Sequence, residues 1–371
     1  MAGIYIHIPF CAKRCIYCGF FSTVRQEEAA RYVKALCREL ELRQYYLEGA
    51  PVRTVYFGGG TPSRLAPDQI GMVIDTIRSV YGLENLEELT VECNPDDLTL
   101  GFVNDLCSLG VNRISMGVQT FSDAMLGFLG RRHSAAQALN AIGICREAGI
   151  QNISIDLMYG LPGQTLDMFR SDLDVAACAG VQHISSYCLS YEDGSPLKQM
   201  LKERKVIPVT DELCSSMFTD MCRILHDAGF EHYEISNFCM PGFHSRHNSS
   251  YWDGTSYLGL GAAAHSFNGT SRQWNPDNLD AYMTAIEQDN PVFEKEILSD
   301  TDRYNEKLML SLRTIQGLDL STLSNQDRLS VLQSAESLLN NNFLVLENNH
   351  LRIPESKMFI SDTLISTLFK S

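Results

Sequence analysis

The feature that most constrains this fold is the alternation of short β-rich runs with segments of helical period over the first two thirds of the chain. Six such runs stand at residues 4–8, 54–57, 89–93, 113–118, 153–158 and 183–190. Between them, segments such as 26–47 and 135–148 place apolar residues on one helical face. Strands that alternate with helices form a parallel sheet joined by crossover connections. We therefore predict an α/β fold, a partial (β/α)6 TIM-like barrel, with a further strand at 232–235.

The pattern changes beyond about residue 290. Residues 303–340 predict helices, 343–353 predict a hairpin that turns at Asn348 and Asn349, and 361–369 predict a last helix. This order is typical of a mostly helical, winged-helix-like domain. Eight acidic and seven basic residues follow position 300, which favours a lid or docking domain over a DNA-binding wing. We expect a barrel at 1–235, a connecting segment at 236–295 and a C-terminal domain at 296–371.

Composition excludes some functions. The 371 residues carry a formal net charge of −15, so no overall field attracts nucleic acid. No apolar run approaches the roughly 20 residues of a membrane span, and the amino terminus lacks the pattern of a signal peptide. We therefore expect a cytoplasmic protein without a transmembrane segment, leaving peripheral membrane contact and oligomeric state open. Its 12 cysteines are then expected to be thiols or metal ligands rather than disulfides.

Three of the cysteines, Cys11, Cys15 and Cys18, form a CxxxCxxC motif directly after the first predicted strand. A structural zinc ion normally has four protein ligands and would have to recruit His7 or an outside group. A four-iron cluster can instead be held by three thiolates, with one iron left open. The spacing therefore predicts a metal centre, and the cluster is the better match to three ligands.

Polar residues follow the other predicted strands. In a parallel barrel, chemistry collects at the carboxyl ends of the strands. The sequence places these residues there: Gly59, Gly60 and Thr61 after the second strand, Glu92 at the end of the third, Gln119 after the fourth, Asp156 in the fifth, and Tyr187 and Ser190 at the sixth. We expect all of them to face the same opening as the cysteine motif.

Several motifs together resemble those of a known family. They are HIPFCAKRCIYC, FGGGTPS, VECNPD, GVQTF and DLMYGLPGQT, and they span residues 4 to about 270. The chain thus resembles the radical S-adenosylmethionine superfamily, in its coproporphyrinogen-oxidase-like branch. The resemblance implies a radical SAM barrel whose [4Fe-4S] cluster, held by Cys11, Cys15 and Cys18, binds S-adenosylmethionine and reduces it to a deoxyadenosyl radical.

The same resemblance implies a set of residues that hold S-adenosylmethionine. Glycine and threonine allow the backbone to approach the charged end of the ligand, and carboxylates suit ribose hydroxyls. The matching positions are Tyr5, Tyr17, Gly59, Gly60, Thr61, Glu92, Gln119, Arg131 and Asp156. Tyr5 and Tyr17 stand where aromatic residues of the family flank the cluster, although Tyr5 is equally typical of a core strand residue.

A second block, HNSSYW at 247–252, resembles the HNxxYW signature of the haem chaperones of this branch. The resemblance places His247, Asn248, Tyr251 and Trp252 at a haem site, and His265 is a competing ligand. Imidazole ligates haem iron, and aromatic rings stack on a porphyrin. The implied function is a haem chaperone that delivers haem to apo-haemoproteins, with those of the respiratory chain as candidates.

Two alternatives remain at this point. Members of the branch that oxidise coproporphyrinogen III without oxygen carry CxxxCxxCxC and a longer amino-terminal extension. Here Phe20 stands in place of the last cysteine, and ten residues precede Cys11, which weakens the oxidase alternative. A zinc-binding structural module is a remote third hypothesis.

Overall fold

The structure, a computed structural model that describes residues 1–370, is built on a large mixed sheet. Six consecutive parallel strands form its centre: β1 (Ala2–Ile8), β2 (Val52–Gly59), β3 (Glu88–Cys93), β4 (Arg113–Gln119), β5 (Asn152–Tyr159) and β6 (His183–Cys188). Each pairs in parallel with the next. The α/β class and the partial six-stranded barrel expected from the sequence are confirmed.

Helices follow the strands and cover the outer face of the sheet. In the barrel they are α1 (Ala29–Leu42), α2 (Pro67–Tyr81), α3 (Leu100–Ser108), α4 (Asp123–Leu129), α5 (Ala135–Glu147), α6 (Leu166–Cys178), α7 (Pro196–Lys202) and α8 (Asp211–Asp227). Side-chain oxygens of Ser134 and Thr165 cap α5 and α6. The strand side chains alternate, so Ile4 and Ile6 are fully buried in the hydrophobic core, whereas Tyr5 lies on the inner face of the barrel.

Further strands extend both edges of this sheet. They are β7 (Glu231–Glu234), β8 (Asn237–Cys239), β9 (Ser256–Leu260), β10 (His265–Phe267), β11 (Ser271–Trp274) and β12 (Glu294–Ile297). The predicted strand at 232–235 forms as β7, but β7 and β8 make a hairpin that pairs antiparallel to β6. It therefore adds no seventh βα unit. At the other edge, β9 pairs in parallel with β1 and leads into β10–β12.

The remaining helices and strands complete the chain. They are α9 (Arg246–Trp252), α10 (Leu279–Glu287), α11 (Asp300–Ser311), α12 (Asn325–Asn340) and α13 (Ser361–Ser366), with β13 (Leu318–Asp319), β14 (Val345–Glu347) and β15 (His350–Arg352). β13–β15 make a separate small sheet. The hairpin between β14 and β15 turns at Asn348 and Asn349, both with positive φ, as the sequence predicts for a tight turn. Within residues 1–370, no helix is both long and apolar enough to cross a bilayer.

Candidate functional site

The cysteine motif lies in an irregular loop that leaves the carboxyl end of β1. Backbone bonds from Thr23 to Pro9 and from Cys11 to Thr23, of 2.7 and 2.8 Å, close the base of this loop. Its far side is held by the Ile16 amide, which donates to Leu129 at 3.2 Å. The loop is thus closed at its base and is fixed to the end of α4 through Ile16, which lies between Cys15 and Cys18.

All three motif cysteines are free thiols and are half-buried. Thr61 Oγ1 donates to Cys11 Sγ at 3.5 Å, and Arg131 Nη1 donates to Cys15 Sγ at 3.6 Å. Burial raises the pKa values of Cys11 and Cys18. A guanidinium and a hydroxyl that donate hydrogen bonds to the sulfurs stabilise the thiolate form, which is the form that binds a metal.

The thiols open into a cavity of about 700 Å³ at the carboxyl ends of the barrel strands. Its lining includes the predicted residues Cys11, Cys15, Tyr17, Cys18, Gly59, Gly60, Thr61, Glu92, Gln119, Arg131 and Asp156, and also Tyr187 and Ser190. The structure therefore brings the polar strand ends to one opening, as the parallel topology requires.

The glycines after β2 permit close packing against the first strand and its loop. A Cβ at Gly59, whose φ is +109°, would lie 2.5 Å from the His7 ring. A Cβ at Gly60 would lie 2.7 Å from the backbone of Pro9. Neither neighbour is the end of a flexible chain, so glycine at these positions sets the distance between β2 and the cysteine loop.

Glu92 contributes a carboxylate to the cavity wall. It accepts hydrogen bonds from the Tyr56 hydroxyl at 2.7 Å and from the Gly59 amide at 3.1 Å. Burial raises the pKa of Glu92 to about 7, against the lowering effect of these two donors. A cationic ligand in the cavity would favour the ionised form.

Asp156, on β5, is the second cavity carboxylate. Burial raises the pKa of Asp156 to about 6, and the Ser185 hydroxyl partly offsets this shift. The neighbouring strand β4 bulges where it pairs with β5, and Gln119 there adopts a φ of +72°. This uncommon conformation for a residue with a side chain sits at the cavity edge.

Arg131 links the cavity to the cysteine loop. Besides Cys15, it donates to the Asn94 side chain and to the Gly117 carbonyl. Its Nε is buried and has no hydrogen-bond partner among residues 1–370. A buried guanidinium with an unpaired N–H beside an open cavity is suited to an anionic or carbonyl group of a ligand.

The two predicted aromatic residues lie in different places. Tyr17 lines the cavity, and burial raises its pKa. Tyr5 does not line the cavity: its ring stacks near Tyr56 and His247, at centroid distances of 6.2 and 6.4 Å, and its hydroxyl is hydrogen-bonded to His7 at 3.2 Å. The structure thus places Tyr5 in the packed interior below the cavity.

The spacing of the thiols bears on the metal they could hold. Among the described residues, the sulfur atoms of Cys11, Cys15 and Cys18 do not all lie within 4.8 Å of one another. A single zinc ion needs its ligands closer than this, whereas the thiolates of a cubane each bond a different iron. His7 offers no fourth ligand, since its nitrogens are hydrogen-bonded to Phe21 at 2.9 Å and to Tyr5. The residues fit a [4Fe-4S] cluster better than zinc.

The cavity also fits the cofactor implied by the sequence. S-adenosylmethionine carries a positive sulfonium, a ribose diol and an amino acid, and the cavity presents the Glu92 and Asp156 carboxylates together with the unpaired Nε of Arg131. Its volume lies in the usual range for cofactor pockets.

The predicted haem motif lies away from this cavity. It forms helix α9, whose first amides, those of Arg246 and His247, donate to the Glu88 carboxylate at 2.8 and 3.0 Å. Glu88 begins β3, and His247 also contacts Thr54 near the start of β2. Helix α9 therefore packs against the amino ends of the strands, opposite the cysteines.

Within this motif, His247 is fully buried. Its Nδ1 is hydrogen-bonded to Thr54 Oγ1 and its Nε2 to the Tyr251 hydroxyl, each at 2.9 Å. Burial lowers the pKa of His247 to about 3. Neither nitrogen is free in this conformation. Asn248, Tyr251 and Trp252 are half-buried and lie nearer the surface.

Aromatic rings continue from α9 onto the sheet beyond β1. Tyr251 packs edge-on against Tyr257, and Tyr257 lies 6.3 Å from Phe267. His265, two residues before Phe267 and on the same face of β10, is exposed and stacks on Trp274 with centroids 5.9 Å apart. We call Tyr251, Tyr257, Phe267, His265 and Trp274 the aromatic strip.

Comparison with known proteins assigns the chain to a family. Residues 5–176 match the Radical SAM superfamily, and residues 298–359 match the HemN C-terminal domain. The chain is 35% identical to the protein named heme chaperone HemW of Lactococcus lactis, over 88% of this chain and 85% of that protein. It is 32% identical to the HemW of Mycobacterium tuberculosis, over 99% of this chain and 94% of that protein. The chain belongs to the HemW family of the radical SAM superfamily.

A solved structure has the same fold. The coproporphyrinogen III oxidase HemN of Escherichia coli superposes with a TM-score of 0.85 at 23% identity, covering all of this chain and 90% of that one. This chain and HemN therefore share the barrel and the C-terminal domain, and a shared fold alone does not show a shared function.

Some cavity residues of this HemW family member are absent from the set predicted by sequence. They include Ser22, Asn94, Ser115, Met158 and Cys188. Asn94 directly follows the predicted strand 89–93, so its place at a strand end indicates a cavity position, whereas Ser115 lies inside a predicted strand and has no such signal. Cys188 gave no such signal, because its exposure at the cavity depends on how β6 ends.

Proposed function

We propose that this protein is a radical SAM haem chaperone, which binds a [4Fe-4S] cluster, S-adenosylmethionine and haem, and which delivers haem to apo-haemoproteins. The observation that carries the proposal is the match of nearly the whole chain to proteins named heme chaperone HemW. The three thiols at the cavity, with their Thr61 and Arg131 donors, support the cluster and cofactor part of it.

Each cavity residue has a proposed task. Cys11, Cys15 and Cys18 hold the cluster, and Arg131 keeps the Cys15 sulfur in place by its hydrogen bond. Glu92 and Asp156 bind the nucleoside and sulfonium end of S-adenosylmethionine. The remaining proposed contacts are Tyr17, Gly59, Gly60, Thr61 and Gln119, all of which line the cavity. Cluster and cofactor together would supply one-electron reduction chemistry at this opening.

We place the haem on the side of α9, along the aromatic strip. Tyr251 and Trp252 of the motif are half-buried, and the strip offers ring surface that continues to His265. Ligation of iron by His247 requires α9 to release two hydrogen bonds. His265 is exposed and needs no such rearrangement, so we propose it as the iron ligand and His247 as the residue that positions the helix.

The delivery step and its setting are also proposals. The recipients would be apo-haemoproteins, with those of the respiratory chain as candidates, and the location would be the cytoplasm. The recipient's identity requires a transfer assay with purified apoproteins.

The first experiment is an anaerobic haem titration of cluster-reconstituted protein, followed by gel filtration and measurement of the Soret absorbance. His265→Ala, His247→Ala and the control His350→Ala, on β15 of the small sheet, would be titrated in parallel. We expect about one haem per chain to remain with the parent and the control, and at least tenfold weaker binding in His265→Ala.

Other outcomes would change the proposal. Loss of haem only in His247→Ala, with thermal stability retained, would make His247 the ligand and imply movement of α9. No retained haem in the parent, together with release of carbon dioxide from coproporphyrinogen III in the presence of S-adenosylmethionine and a reductant, would replace the chaperone function by that of an oxygen-independent oxidase.

A further inference from the structure

A second group of metal-ligand side chains lies far from the cysteine loop, where the barrel meets the C-terminal domain. Cys222 and His226 stand one helical turn apart on α8, so they project from the same face of the helix. His232 comes from β7, and Glu355 begins a short 3-10 helix, Glu355–Ile360, near the carboxyl end of the chain. Four residues from three separate segments thus converge.

Three of the four side chains lie close enough together to hold one metal ion, whereas His226 has to move to join them. The ligand atoms of Cys222, His232 and Glu355 all lie within 4.8 Å of one another. His232 Nδ1 is 2.8 Å from Glu355 Oε1, and His226 Nε2 is 3.3 Å from the same oxygen. Tetrahedral zinc with bonds of 2.0–2.3 Å holds its ligand atoms about 3.3–3.8 Å apart. Small side-chain movements would close the site.

Burial in this group is incompletely compensated by hydrogen bonds. The His232 side chain is 1% exposed, and its Nε2 has no partner among the described residues. Cys222 is buried as well. Glu355 is half-buried beside them. A buried thiol, a buried imidazole and a carboxylate therefore share one enclosed site, and a divalent cation can bind this set of donors.

We propose that Cys222, His232 and Glu355 bind a single zinc ion, with His226 as the fourth ligand, and that this ion fastens the C-terminal domain to the barrel. The donor set of one sulfur, two imidazoles and one carboxylate suits zinc, whereas magnesium and calcium prefer oxygen ligands alone. Four protein ligands leave no open position, so the ion is structural. On binding, the Cys222 thiol loses its proton to solvent and becomes a thiolate.

The site is separate from the proposed haem chaperone function. The cysteine loop leaves β1, whereas this group is built on α8, β7 and the segment at Glu355. Its ligands include one cysteine, and the loop offers three. Zinc bound at the two places therefore differs in the number of sulfur ligands, which allows one measurement to distinguish them.

The experiment uses the full chain with its cluster reconstituted anaerobically, so that the loop cysteines are occupied. One equivalent of zinc is added, the protein is passed through gel filtration, and zinc is counted by elemental mass spectrometry. X-ray absorption at the zinc edge then reports the ligand atoms. We expect one zinc per chain with one sulfur and three nitrogen or oxygen ligands, and a midpoint of thermal unfolding that falls when a chelator removes the ion.

Variants locate the ion. Cys222→Ser and His226→Asn should each bind zinc at least tenfold more weakly than the parent. Because the His226 side chain is exposed, its replacement should leave the fold intact, so weaker binding in this variant would reflect loss of a ligand. The matched control is Cys239→Ser, a buried cysteine of the neighbouring group Glu231, Cys239 and His244. No zinc in the parent, zinc with two or three sulfurs, or loss of zinc in the control but not in Cys222→Ser would each overturn the proposal.

Discussion

The imidazole of His247 stacks on the phenol ring of Tyr56, with ring centroids 5.0 Å apart and planes inclined by 24°. The hydroxyl of Tyr56 in turn donates to the Glu92 carboxylate in the cavity. Helix α9 at the amino ends of the strands and the cavity at their carboxyl ends are therefore joined through two packed side chains. A change in the position of α9 would reach the cavity wall directly.

The first prediction concerns His247. Replacement by Ala removes the ring from a fully buried site and leaves the hydroxyls of Thr54 and Tyr251 without their partner. We expect the free energy of unfolding to fall by about 3 kcal/mol, from lost packing and unpaired polar groups. Urea denaturation measures this change. His350→Ala should lower the free energy of unfolding by less than about 1 kcal/mol. Equal losses in the two variants would contradict the role of His247 in positioning α9.

The second prediction concerns the cluster ligands. Cys15→Ala removes one of three thiols, and two thiolates cannot hold a cubane against loss of iron. We expect iron after anaerobic reconstitution to fall from about four atoms per chain towards zero, with loss of the charge-transfer absorbance. Cys107→Ala, a half-buried cysteine in α3, is the control and should retain the iron. A Cys15→Ala protein with full iron content would refute the ligand assignment.

The third prediction concerns the glycine after β2. Gly60→Ala places a methyl group 2.7 Å from the Pro9 backbone, so the base of the cysteine loop must move. We expect a loss of about 1–3 kcal/mol in unfolding free energy and lower iron content. Gly143→Ala, in α5 with open space around its Cβ, should instead stabilise the protein slightly. Iron analysis and urea titration of both variants make the comparison, and full iron content in Gly60→Ala would show that the loop tolerates the shift.

The fourth prediction concerns pH. The pKa of Glu92 lies near 7 in the folded protein, against a usual 4.5, so between these values the folded state binds more protons than the unfolded state. The contribution of the Glu92 carboxyl to the free energy of unfolding is therefore complete below about pH 4.5. It declines by about 3 kcal/mol as the pH rises to 7. In Glu92→Gln this decline should disappear. Unfolding measured from pH 5 to 8 tests it, with exposed Glu336→Gln as control; an unchanged pH profile in Glu92→Gln would place the titration elsewhere.

Local sequence patterns predicted much of the fold. The β-rich runs around Ile6 and Val91 became strands of the parallel sheet, because a run of buried β-formers between helical segments has few other solutions. Asn348 and Asn349 predicted their turn, since asparagine tolerates positive φ. The polar strand ends met at one cavity for a topological reason, because parallel strands point the same way.

Other features required the tertiary structure. Cys145 and Cys178 both lie in helices, yet Cys145 is buried, whereas Cys178 is exposed because it lies in the last turn of α6. His247, which the sequence placed at the haem site, is enclosed because α9 packs on Thr54. Neither outcome can be read from spacing, since burial depends on which segment covers a side chain.

By itself, the sequence determined the order of strands and helices, the three-cysteine loop and the residues at the strand ends, because each depends on contacts within a few residues or on the direction of parallel strands. Only the tertiary structure decided that β9 pairs with β1, that His247 is enclosed, and that Cys222 meets Glu355. These depend on contacts between segments more than a hundred residues apart, whose pairing is set by the packing of the whole chain.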